Sequence, residues 1–462
     1  MQHTEEFNNS HLLRKGRNFL GVINDLKRTT EAAAKELGVS KEDLDDFISG
    51  KNDLPQEVFV KASKIWPVNM RDFYLLEDDA PHGVSIMRAE QSASSSRVFQ
   101  RGGKDYYEYR DTAMTRICSF RPEWIKELCV VDNNDPENKE VHWNNGHFMH
   151  QFTYFIGPVN FYYLEKGKRK VAMMNTGDSM YITPFIPHTF AVRKNPNNEE
   201  GLILALTYGD KVVGDTQHEL SAVGEHLASN FFLDFSSREK AFASLLKFNM
   251  ENASITLEEL SKATSINVDE IKSYESATTI PSFDILKKIA TTLGITVREL
   301  LPPDNTDQKV VVSKHENCRV WHFPSANSNG AAYKITDLAS SSNLPFSKAL
   351  EITVLKEQNN NLDLRSGLHQ YAYNLGDNNV ILQYFNAGKR YTETIKPGDS
   401  LYIKPFIEHS FSSSGKPSKL MVLRIAGKLA GEPMREMSLL GRHTAKRVVG
   451  ETMQWYDPKN KK

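Results

Sequence analysis

The chain has 462 residues, of which 39% are hydrophobic and 25% charged, and 57 Lys and Arg against 58 Asp and Glu leave a formal net charge of −1. Such balance excludes a global field drawing the chain to nucleic acid or anionic lipid, and at roughly 150 residues per domain the length calls for about three or four units. No apolar run approaches the ~20 residues needed to cross a bilayer, and Met1–Glu6 lacks a basic start followed by an apolar stretch, so a cytoplasmic protein without a membrane partner is expected. Cys118, Cys129 and Cys318 are isolated, which points to free thiols rather than disulfides or a thiolate zinc site.

Residues 13 to 78 carry helical periodicity. Phe19, Val22, Ile23 and Leu26 share one stripe, followed by Ala33, Ala34 and Leu37 and then by Leu44, Phe47 and Ile48. Gly38 separates two short helices and Ser40 is placed to cap the second, so Thr30–Leu44 reads as a helix-turn-helix. A second version, Leu257–Ile271, lies within a helical stretch from about 241 to 301. Both resemble the small helical domains of phage repressors. Their charge argues against duplex binding, because phosphate contacts demand a basic recognition helix. Ser40 to Ser49 carries Glu42, Asp43, Asp45 and Asp46 against Lys41, and Asn267 to Ser276 carries Asp269, Glu270 and Glu275 against Lys272. No nucleic-acid partner is expected.

After each helical stretch come β-branched and aromatic runs such as Val159–Leu164, punctuated by Gly157-Pro158, Gly177-Asp178 and Gly398-Asp399. The phrase Tyr181–Phe190 returns as Tyr402–Phe411, 221 residues later (181 to 402), and such self-similarity marks a duplicated plan. Gly-Asp-Ser-x-Tyr-Ile-x-Pro-Phe-Ile-x-His resembles the closing motif of a cupin. The expected fold class is α+β, a tandem repeat of an all-α helix-turn-helix domain followed by a cupin, a jelly-roll β-barrel. The corresponding bounds are 1–80 and 231–305 for the helical domains, 81–230 for a catalytic cupin, 306–430 for a degenerate cupin and 431–462 for a C-terminal tail. Duplicated barrels and the tail suggest a homo-oligomer.

In the first barrel, residues i and i+4 of a strand share a face, so His147 and Gln151 both point inward while His150 points out. With His188 they offer two imidazoles and one amide oxygen, a facial triad suited to non-heme Fe(II). In the second copy Gln370 and His409 persist, but Ser366 stands opposite His147, so that barrel is expected to be metal-free. Upstream, Arg101 and Tyr109 provide donors for a tetrahedral oxyanion, and Asn144 adds an amide. Phe323 and Thr336 stand near the places of Arg101 and Tyr109 in the second copy. The bland alternative makes the histidines ordinary barrel residues and gives Arg101 and Tyr109 a surface ion pair and a core contact.

The spacing of these elements resembles the iron-dependent phosphonate oxygenases over nearly the whole chain. The resemblance implies an Fe(II) cofactor on His147, Gln151 and His188, with Arg101, Tyr109 and Asn144 binding a phosphonate. It further implies that Lys27, with Arg28 as the alternative, reaches the active site as a substrate-binding and catalytic residue, and that Tyr107 lines the pocket as a second catalytic candidate. A carboxylate ligand found elsewhere in the family is absent, since Gln151 is neutral and Ile182 and Thr183 offer none. The implied reaction is O2-dependent cleavage of the C1–C2 bond of 2-hydroxyethylphosphonate to methylphosphonate and bicarbonate. Formation of hydroxymethylphosphonate and formate is the alternative, and a cupin-type transcriptional regulator is the alternative from another class.

Overall fold

A computed structural model describes residues 2–303, 309–325, 330–344 and 346–449. The expected tail therefore lies partly outside the described residues, as do four positions of the stretch from Phe323 to Thr336. The chain divides into two compact units, one formed by 1–81, 116–118 and 429–462 and the other by 82–115 and 119–428.

The first unit is helical. Thr29 caps the helix Thr30–Leu37 by accepting from the Ala32 N–H, and Gly38 ends it in the left-handed region at φ 75°. Ser40 accepts from the Asp43 N–H and starts Lys41–Ile48, as its sequence position predicts. The stripe residues Phe19, Ile23, Ala33, Ala34, Leu37, Leu44 and Phe47 are buried. Phe19 centres this core, with the rings of Phe47, Phe59, Trp66 and Phe73 all 5.6 to 6.0 Å away.

The second unit mixes helices and sheets. Its helices Leu257–Thr264 and Val268–Glu275 are capped by Thr256 and Asn267, and they close over Phe242, Leu246, Ile271 and Ile289. One seven-stranded sheet has the order Val310–Ser313, Ser179–Ile182, His150–Ile156, Leu202–Tyr208, Phe120–Glu127, Lys104–Asp111, Arg97–Arg101. The other runs Val84–Met87, Ser400–Ile403, His369–Asn374, Ser418–Ile425, Ser347–Val354, Tyr333–Asp337, Val320–Phe323. Position by position the two orders correspond. A four-stranded sheet containing Val159–Glu165 and His188–Arg193 accompanies the first, and a three-stranded sheet containing Val380–Asn386 and Glu408–Ser413 accompanies the second.

The sheets do not follow the bounds drawn at 81 and 306. Val84–Met87, which lies inside the bounds 81–230, pairs with Ser400–Ile403, and Val310–Ser313, which lies inside 306–430, pairs with Ser179–Ile182. The exchange covers an otherwise open edge on each sheet. The repeated Gly-Asp-Ser fastens it. Asp178 accepts from the His315 N–H at 2.9 Å and Lys314 Nζ at 2.7 Å, while Asp399 accepts from the Ala89 N–H at 2.8 Å and from Arg88 at 2.9 Å. Ser179 and Ser400 accept from the Ala339 and Ala113 N–H groups at 2.9 and 2.8 Å. All four side chains are buried, so their loss strands donors away from water. D178A is expected to cost about 2 kcal/mol or more, read as a lower urea midpoint with unchanged slope; an unshifted midpoint would show that the clasp contributes nothing.

Candidate metal centre and anion pocket

A cavity of about 170 Å³ opens inside the first sheet pair, and its walls include Arg101, Tyr107, Tyr109, Asn144, His147, Gln151 and His188. Seven of the eight residues singled out in the sequence thus meet in one place. Lys27 belongs to the helical unit, where its Nζ donates to the Asp25 carbonyl at 2.8 Å.

The local backbone differs from expectation at His147. The strand begins at His150, so His147 sits in the preceding loop and does not reach Gln151 by strand alternation. A turn at Gly146 (φ 76°) presents it instead, and a Cβ there would lie 2.6 Å from the Phe185 carbonyl carbon. His147 Nε2 nevertheless stands 2.8 Å from Gln151 Oε1, and the His147 and His188 rings are 5.2 Å apart at 86°. His150 is bonded elsewhere: its Nδ1 lies 2.7 Å from the Tyr181 hydroxyl, and His369 makes the same contact with Tyr402.

Hydrogen bonding fixes the state of these ligating atoms. A carbonyl only accepts, so His147 Nδ1, 2.9 Å from Met149 O, and His188 Nδ1, 2.8 Å from Ile186 O, each carry the ring proton. In a neutral ring Nε2 is then the atom with the lone pair; that of His188 lies 3.2 Å from Asn144 Nδ2 and that of His147 faces Gln151 Oε1. Gln151 Nε2 donates to Thr153 Oγ1 at 2.8 Å, which turns Oε1 toward His147. Two acceptors facing each other at 2.8 Å repel unless a cation lies between or beside them, and a divalent metal fits that need. Burial lowers the His188 pKa to about 3 and keeps the ring neutral, as a ligand must be. Among the described residues no three or more His, Cys, Asp or Glu side chains converge, so an amide oxygen is integral to this donor set.

The wall that carries Arg101 is built around aromatic rings. The Arg101 guanidinium lies 4.7 Å from the Tyr107 ring centre and 5.3 Å from that of Tyr106, and its Nη1 donates to His142 O at 3.0 Å. Asn144 Oδ1 accepts from the Gly146 and His188 N–H groups at 3.0 and 2.9 Å, which aims Nδ2 at the cavity, 3.2 Å from His188 Nε2. Tyr109 is a neutral donor, its phenol pKa raised by burial. The Tyr107 hydroxyl is already engaged, accepting from the Phe190 N–H at 2.9 Å and meeting Thr189 Oγ1 at 3.0 Å. Tyr333 repeats the bond with Phe411 N–H at 3.0 Å in the second sheet pair. With its hydroxyl so engaged, Tyr107 presents its ring to the cavity. Sequence reasoning missed Glu123 and Thr207, which also line the walls; an acid in the inward phase of Phe120–Glu127 was the available signal.

The second sheet pair resolves the same geometry differently. Thr207 pairs with Gln151 in one ladder and Arg424 with Gln370 in the other. Arg424 Nε donates to Gln370 Oε1 at 2.8 Å, and Gln370 Nε2 lies 3.1 Å from His409 Nε2. A resident guanidinium stands where a metal would be needed, and every acceptor is satisfied. The ladder also revises two equivalences: Tyr107 and Tyr109 correspond to Tyr333 and Ile335, and Phe99, paired with Tyr107, corresponds to Phe323. Neither Thr336 nor Phe323 is the counterpart expected, because each lies off the register by which the strands align.

Residues 246–300 match a family model described as helix-turn-helix. The chain is 50% identical over 451 residues to methylphosphonate synthase of Nitrosopumilus maritimus (strain SCM1), with 97% of each covered. It superposes on Streptomyces albus HEPD, solved with 2-hydroxyethylphosphonate and Fe(II) bound, with a TM-score of 0.90 at 34% identity, covering 97% of this chain and 99% of that one. A cadmium-containing PhpD structure shares the fold at 18% identity, with a TM-score of 0.71 over 96% of this chain and 99% of that one. Fold and relatives make this an oxygenase of the phosphonate-oxidising class. Within that class, the chain belongs to the methylphosphonate synthase family.

Burial lowers the pKa of both His369 and His409 to about 4, from 6.5 in an exposed ring. With folded values below unfolded ones, stability is fully present above about 6.5 and falls as pH drops toward 4, because the unfolded chain takes up the protons. H409Q is expected to flatten that slope by up to about 1.4 kcal/mol per pH unit in chemical denaturation between pH 6.5 and 4.5; an unchanged slope would contradict the buried neutral state.

Proposed function

We propose that this chain is an Fe(II)- and O2-dependent oxygenase that cleaves the C1–C2 bond of 2-hydroxyethylphosphonate to give methylphosphonate and bicarbonate. The observation that carries the reading is the convergence of His147 Nε2, Gln151 Oε1 and His188 Nε2 beside Arg101, Tyr109 and Asn144 in one small cavity. His147, Gln151 and His188 would hold the iron, which supplies Lewis acidity toward the substrate hydroxyl and a place for O2 activation. Because Gln151 is neutral, the donor set leaves the dication's charge undiminished. Arg101 offers a planar fork to the phosphonate oxygens, Tyr109 a phenol donor and Asn144 the amide of Nδ2, so the reacting carbons are held in one orientation. The aromatic wall keeps bulk water out. For Lys27 as a further phosphonate contact, the support is the sequence resemblance alone.

The matching strand orders favour a tandem helix-turn-helix and cupin plan, and Arg424 favours a second barrel kept for structure. Acidic residues on Lys41–Ile48 and Val268–Glu275 speak for helical domains that do not engage nucleic acid.

Substrate, O2 and iron balance without a co-substrate, since 2-hydroxyethylphosphonate and O2 contain the atoms of methylphosphonate and carbonic acid. Phosphorus NMR of the anaerobically iron-loaded protein, after addition of substrate and O2, is expected to show methylphosphonate as the main product. Hydroxymethylphosphonate as sole product would favour the dioxygenase outcome, and no turnover would sink both. R101A is expected to raise KM about 100-fold, corresponding to about 3 kcal/mol for a charge-assisted contact, in steady-state O2 uptake; an unchanged KM would remove Arg101 from the anion site.

A further inference from the structure

Glu127 is 3% exposed, and neither carboxyl oxygen has a hydrogen-bond partner. It ends the strand Phe120–Glu127, on the same face as Glu123 and Ile125, which line the cavity. In the ladder it stands opposite Tyr107, whose ring carries the Arg101 guanidinium. Arg101 and Glu127 feel each other electrostatically, yet the guanidinium spends Nη1 on His142 O and Thr189 Oγ1. An ionised carboxylate so deeply buried would take the arginine's fork, because an unpaired buried charge costs several kcal/mol. The counterpart in the second sheet is Val354, fully buried, placed there by the matching pairs Leu202 with Lys126 and Lys419 with Thr353. The acid is therefore present in the sheet that has Arg101 and Tyr109 and absent from the one whose register offers Ile335.

We propose that Glu127 carries a proton and acts as a positioning residue behind Arg101: neutral, it leaves the guanidinium's charge to an oxyanion in the cavity, and ionised it would take that charge away. The inference deepens the anion-site reading above and rests on it. Burial holds the Glu127 carboxyl well above the usual range, opposed only by Arg101. The groups facing it are Arg101 from Arg97–Arg101, Tyr106, Tyr107 and Tyr109 from Lys104–Asp111, and Cys129 beyond its own strand. Burial raises all three phenols and the thiol, so among the described residues Arg101 is the charged group that acts on Glu127 at neutral pH. Proton loss from Glu127 would turn the pair from net positive to neutral, which weakens a phosphonate or phosphate anion.

Difference infrared spectra of anaerobic iron-loaded wild type minus E127Q, with inorganic phosphate affinity measured on both across pH, test this. A protonated-carboxyl stretching band is expected at neutral pH, with phosphate affinities equal within about twofold. As pH rises and that band gives way to carboxylate bands, wild type should weaken relative to E127Q by about tenfold. Carboxylate bands alone at neutral pH, or affinities that track each other throughout, would overturn the assignment. Failure of either protein to bind phosphate would overturn the anion site itself, and the band separates that outcome from a wrong protonation state. Should E127Q fail to fold, E127V, which copies Val354, gives the same comparison.

Discussion

Two backbone carbonyls set up this site. By accepting the Nδ1 protons of His147 and His188, Met149 O and Ile186 O turn the Nε2 atoms of both imidazoles inward. Thr153 performs the same service for the Gln151 amide. Once these outer bonds are made, His147 Nε2 and Gln151 Oε1 face each other, with Asn144 Nδ2 beside His188 Nε2, a set of donor atoms that a divalent cation would suit. The surroundings in the first sheet pair serve that arrangement: Gly146 folds the loop that delivers His147, Asn144 braces the backbone of His188, and the tyrosine wall carries Arg101 beside them.

The second sheet pair resolves the same positions with a guanidinium. Arg424 supplies a positive charge from the ladder position that Thr207 holds in the first, and Gln370 turns its NH2 rather than its oxygen toward His409. A buried guanidinium at Gln370 Oε1 would repel a metal cation, so Ser366 and Arg424 each disfavour a metal there. Strand exchange makes each sheet depend on the other. Val84–Met87 and Val310–Ser313 each complete a sheet built from the other half of the sequence, and the Gly-Asp-Ser phrases clamp both.

Much of this was legible in the sequence, for identifiable reasons. Capped helices declare themselves locally, and Thr30–Leu37 and Lys41–Ile48 form where Gly38 and Ser40 predict. The repeated phrase located His188 and His409, and the mismatch at Ser366 separated the two copies. What remained hidden depends on contacts distant in the chain. The exchanged strands look like ordinary opening strands, because pairing partners are not written in a strand's own residues. Arg424 was invisible as a surrogate cation until the ladder set it against Gln370. His147 was expected on a strand and lies in a loop, since i and i+4 spacing fits either geometry once a glycine turn intervenes. Glu127 and Val354 differ at positions that only register, not spacing, makes equivalent.

We propose that the inward Nε2 atoms of His147 and His188 with Gln151 Oε1 form one metal site per chain and that Arg424 denies a second. Anaerobic Fe(II) titration of wild type, H147A and H409A measures it directly. One tightly bound Fe(II) is expected in wild type, none in H147A and one in H409A. Two irons in wild type, or loss of the iron in H409A with retention in H147A, would contradict it.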